Sequence, residues 1–73
     1  MTPVPLRPRL ASMLASSHAD AATRLRAQAA EQRARAARES DPVMREAQEA
    51  GAAMIDAWAD NEETAARRWQ EQR

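Results

Sequence analysis

From Pro8 onward, apolar and polar residues recur on a helical period rather than a strand period. On a wheel of about 100° per residue, Met44, Ala47, Gly51, Met54, Ile55, Trp58, Ala65 and Trp69 fall on one stripe, with Glu49, Asp56, Asp60 and Glu63 opposite. This predicts a strongly amphipathic helix. Upstream, Leu10, Leu14, Ala21, Leu25, Ala29 and Ala36 form a second, less sharply divided stripe, bordered by Arg24 and Arg35 on one side and by Arg26 and Arg33 on the other. Arg on both borders of an apolar seam matches the flanking positions of a coiled coil, where the aliphatic stem covers the seam and the guanidinium reaches water.

Punctuation divides the chain. Pro3, Pro5 and Pro8 fix φ and bias the residues before them toward extended backbone, so residues 1–7 read as an extended arm. No Pro or Gly then interrupts as far as Arg38, which gives a first helix over 8–39. Ser40, Asp41 and Pro42 combine helix-capping side chains with Pro at a first helical position. The turn is therefore placed at 40–41 and a second helix at 42–71. Gly51, in the middle of that helix, costs about 1 kcal/mol relative to Ala and marks a close approach of another backbone. Ser17 followed by Asp20 imitates a capping box, and leaves open a variant in which the first helix breaks near Ser16.

Two long helices joined by so short a turn must be antiparallel neighbours. The expected fold is a single all-α domain, a coiled-coil-like antiparallel hairpin shaped as a rod. With the turn centred on Ser40 and Asp41, residue i of the first helix lies level with residue 81 − i of the second. Leu25 then falls beside Met54, Ile55 and Trp58, and Leu14 beside Trp69, while the stretch from Ala29 to Ala37 falls beside Ala47, Ala50, Gly51 and Ala52. The hairpin should taper, with small residues near the turn and Trp near the open end. The same register sets His18 opposite Glu62, the one carboxylate intruding on the apolar stripe, and predicts a structural pair.

Composition sharpens this picture. Of 73 residues, 19 are Ala, one is Gly and none is Phe or Tyr, a set that favours helix and disfavours strand. There is no Cys, so neither disulfides nor a thiolate metal site can substitute for a small core. No apolar run is long enough for a membrane span, and none near the start resembles a signal peptide. A cytoplasmic protein without membrane contact is the expectation. Every basic side chain is Arg, which with the Ala excess points to a GC-rich genome and to a small bacterial or phage protein.

Two helices alone cannot enclose Trp58 and Trp69. Completion is therefore expected from dimerisation into a four-helix bundle or from docking on a larger protein, with Leu14, Leu25, Met54, Trp58 and Trp69 as interface residues. The net charge is zero, but residues 1–40 carry +4 and residues 41–73 carry −4. Mutual compensation between the adjacent helices is the first reading; because most acids of the second helix are expected on its outer face, compensation between molecules is the alternative. Enzyme function has no support: one His, no phosphate-binding Gly loop, and carboxylates scattered over different faces supply neither a catalytic set, a metal site nor a cofactor site. The first reading is a non-enzymatic protein-interaction or assembly module. The alternative is a small dimeric nucleic-acid-binding regulator that grips phosphates through Arg24, Arg26, Arg33, Arg35 and Arg38.

Overall fold

The computed structural model describes residues 6–72, so residues 1–5 of the expected arm lie outside the described residues. Helix α1 runs over Leu6–Arg38 and helix α2 over Pro42–Gln70, packed as an antiparallel hairpin. At about 1.5 Å per residue the 33 residues of α1 span about 50 Å, and the pair of helices is 15 Å wide. Helix α1 thus begins before Pro8 rather than at it. Pro is tolerated there because the amides of a helix's first turn have no intrahelical partner. The possible break near Ser16 does not occur: α1 is continuous through Ser16 and Ser17, with Ala11, Ala15 and Ala22 buried on either side of them.

The turn is built as its residue types require. Asp41, in extended backbone, accepts a hydrogen bond on its side chain from the Val43 amide at 3.0 Å, and Pro42 opens the helix. Glu39 accepts from the Asp41 amide at 3.1 Å, which tightens the approach. At the other ends, Arg35 and Arg38 lie in the last turn of α1, and Arg67 and Arg68 in that of α2, where positive charge complements the helix dipole.

The packing line differs from the expected stripes. The buried apolar residues are all alanines: Ala11, Ala15, Ala22, Ala29 and Ala36 on α1, and Ala52, Ala59 and Ala66 on α2. From Ala15 on, each set recurs every seventh residue, the spacing that keeps one line of a helix against its neighbour. In the 81 − i register, Ala15 faces Ala66, Ala22 faces Ala59 and Ala29 faces Ala52. Of the apolar stripe on α1, only Ala29 and Ala36 belong to this line, and none of the α2 stripe does. The seam is therefore lined by alanine at the Trp end as well as near the turn. Small side chains along its whole length keep it narrow, because methyl against methyl lets two backbones approach where larger residues would hold them apart.

Gly51 meets a different neighbour from the expected one. A Cβ built there would come closest to the Gln32 side-chain amide, 2.9 Å from Nε2, and not to α1 backbone.

Candidate interaction face

Two sides of the hairpin follow from the Ala line. At about 100° per residue, His18, Leu25, Leu14, Ala21 and Leu10 lie successively to one side of Ala22 on α1, and Arg33, Arg26 and Ala19 to the other. On α2, Ile55, Glu62, Met44, Trp69 and Trp58 lie to the same side of Ala52, and Glu63, Asp56 and Asp60 to the other. A half-turn about the normal to the hairpin exchanges antiparallel helices without exchanging its sides. One side therefore carries most of the large apolar residues of both helices, and the other is charged on both.

The charged side carries a network of ion pairs between the helices. Arg26 bonds Asp60 through Nη2 at 2.6 Å, Glu63 through Nε at 3.0 Å and Asp56 through Nη1 at 3.2 Å. Arg33 Nη1 holds the other Asp56 oxygen at 2.6 Å. The Asp56 carboxyl is held below the usual carboxylate range chiefly by Arg33, with Arg26 adding to the effect. The Arg26 guanidinium is bound still more firmly to its proton, first by Asp60 and then by Glu63. Expected to point away from α1, Asp56, Asp60 and Glu63 instead reach across to it, so the charges of the adjacent helices compensate each other here and the intermolecular alternative is not needed for them. The reason is the position of the seam, which runs between the apolar stripe and the acids rather than along the middle of the stripe.

On the apolar side, large residues are left open to solvent. Trp58 is 50% exposed, Trp69 37%, Leu10 44% and Leu14 36%, and Met54, at the outer rim of this side, is 54% exposed. Met44 is exposed as well, while Leu25 and Ile55 are half-buried beside the Ala line. No large side chain among the described residues is fully buried. His18 and Glu62 also lie on this side. Nδ1 of the first is 2.5 Å from Oε2 of the second, and each is about one-third exposed, at 32% and 33%.

The five Arg residues of the phosphate-binding alternative separate. Arg26 and Arg33 are engaged by acids, whereas Arg24, Arg35 and Arg38 stand exposed along the outer edge of α1, interleaved with Asp20 and Glu31. Among the described residues no group of three His or acidic side chains is placed to hold a metal ion, and no helix is long and apolar enough to cross a membrane.

The heptad of alanines was the functional signal that stripe analysis missed. It was available in the numbering, since subtracting 15, 22 and 29 from 81 returns 66, 59 and 52, all of them Ala. Comparison with protein-family models, with curated proteins and with solved structures finds no match to this chain.

Proposed function

We propose that this chain is a non-enzymatic interaction module that works by presenting the apolar side of its hairpin to another protein surface. One observation carries the reading: Leu10, Leu14, Met44, Trp58 and Trp69 stand exposed on one side, while on the other side Arg26 and Arg33 are paired with Asp56, Asp60 and Glu63 within the chain. Contiguous apolar surface of this kind marks contact sites, and exposed Trp is the side chain most enriched among the residues that dominate binding energy. The seam needs none of these large residues to close, which leaves them available for contact.

Nucleic-acid binding has less to work with. Two of its five Arg residues already hold acids, and Asp20 and Glu31 interrupt the edge formed by the other three, so few phosphates could be neutralised by a continuous basic stripe. The test is retrieval of complexes on the tagged chain from its native host. Complexes that survive nuclease and high salt but vanish with Trp58→Ala or Trp69→Ala support the interaction module. Complexes lost to nuclease, falling steeply with salt and abolished by Arg24→Ala with Arg35→Ala, overturn it in favour of a nucleic-acid regulator.

A further inference from the structure

We infer that the apolar side is covered by a second copy of this chain turned end for end, two hairpins stacking into a four-helix bundle with their turns at opposite ends. The inference rests on the interaction reading above and adds the partner and its orientation.

Area supports it first. The accessible surface is 5582 Å² for a chain of 8.1 kDa, about 1,000 Å² above the ~4,500 Å² usual for a folded monomer of that mass. A side of the described hairpin, about 50 Å long for 33 helical residues at about 1.5 Å each and 15 Å wide, offers about 750 Å², and stable interfaces take about 800 Å² from each partner. The excess matches what one self-association would remove.

Shape gives the orientation. In the 81 − i register, Trp69 lies between the levels of Leu10 and Leu14, and Trp58 and Ile55 lie around the level of Leu25, near mid-hairpin. Toward the turn the same side loses its bulky apolar groups, with Gly51 and Ala47 on α2 and the polar Gln28 and Gln32 on α1. The bulk is therefore graded along the rod, even though the seam beneath it is uniform. A half-turn about an axis through the Leu25 level, lying across the rod in the plane of contact, sets α2 over α2 of the second copy. Trp69 then lies over Met44 and Ala47 of the second copy, and Trp58 over its Met54 and Ile55. The other stacking, with both turns at one end, would set bulk on bulk at the open end and leave the Gly51 end uncovered. A graded face is its own complement only when reversed.

Charge permits the burial. Between the levels of Leu10 and Met44 the apolar side holds His18 and Glu62 as its ionisable groups, already in contact with each other, with Arg24 and Arg35 at the rim where they keep their water. Stacking would leave no unpaired charge at the centre, where the penalty is largest.

Sedimentation equilibrium of the full chain, from micromolar to sub-millimolar concentration, reads the claim directly. The expected mass is that of two chains. The absence of Cys makes single-Cys variants informative about orientation: Leu25→Cys, beside the axis, should oxidise to a covalent dimer, whereas Leu14→Cys, near one end, should not. A dimer linked through Leu14→Cys but not Leu25→Cys overturns the end-for-end arrangement, and a helical species that stays at the mass of one chain overturns the second copy altogether. Acrylamide quenching then separates the two levels of the claim. Trp fluorescence open to quencher in such a monomer leaves the interaction reading standing with another occupant, whereas shielded Trp removes that reading too.

Discussion

Replacing Gly51 by Ala is the substitution whose sign the structure decides most clearly. Gly51 lies in the interior of α2, where Ala is favoured over Gly by about 1 kcal/mol because it loses less backbone entropy on ordering. The opposing cost is set by what a new methyl would meet, and that is Nε2 of Gln32 at 2.9 Å, with the next atom, Gln32 Cδ, at 3.8 Å. The obstacle is the mobile end of a half-buried side chain that can rotate to another staggered well. Displacing it should return only a few tenths of the ~1 kcal/mol gained. We therefore expect Gly51→Ala to stabilise the chain by about 0.5–1 kcal/mol, and to raise Tm by roughly 2–8 °C in a domain of this size. The assay is thermal unfolding by far-UV circular dichroism at fixed chain concentration. Repeating it in a Gln32→Ala background, where the obstacle is gone, should yield the full gain. A Tm that falls by several degrees in both backgrounds would refute the reasoning, because it would place α1 backbone, not the Gln32 amide, against Gly51.

Other expectations follow from the same geometry. Ala59→Leu, on the buried line, should overpack the seam and cost about 1–3 kcal/mol, whereas Ala57→Leu, exposed on the same helix, should be near neutral in chemical denaturation. Gln48 has a buried Oε1 with no partner among the described residues; Gln48→Met should raise stability by about 1 kcal/mol by removing the unpaired acceptor, and a loss would show that the oxygen is solvated. Because Asp56 titrates below its unfolded value, the stability it contributes is present above the ordinary carboxylate range and is lost as pH falls through the folded value. Urea titrations between neutral and acid pH should therefore show a steeper acid limb in the parent chain than in Asp56→Asn, and parallel curves would contradict the pairing with Arg33. A double-mutant cycle on His18→Ala and Glu62→Ala should return a coupling of about 0.2–1 kcal/mol, as for partly exposed pairs; strictly additive losses would show that their contact has no energetic weight.

Local chemistry was the part of the fold most legible in the sequence. Asp41 and Pro42 marked the turn because a capping carboxylate and a residue without an amide suit only a helix start, and the turn in turn fixed the register that sets His18 beside Glu62. Which line of each helix faces the other was less legible. Large apolar residues dominate any wheel, so Met54, Ile55, Trp58 and Trp69 drew the seam toward themselves. Closest approach is governed instead by the smallest side chains, and with Ala so abundant the heptad of Ala15, Ala22, Ala29 and Ala36 does not stand out by composition. That rotation of the seam also explains Arg26. Once the contact line moves toward the acids, Asp56, Asp60 and Glu63 come within reach of a side chain that wheel analysis had assigned to a border.

The same rotation underlies the central claim, that a hairpin closed by alanines alone is completed by a second copy on its apolar side. The concentration dependence of Tm tests it most directly, since folding coupled to association shifts with mass action and the unfolding of a monomer does not. Over a hundredfold rise in chain concentration the account predicts that Tm climbs by roughly 5–10 °C. A Tm that stays constant over that range, in a chain that melts cooperatively, would contradict it.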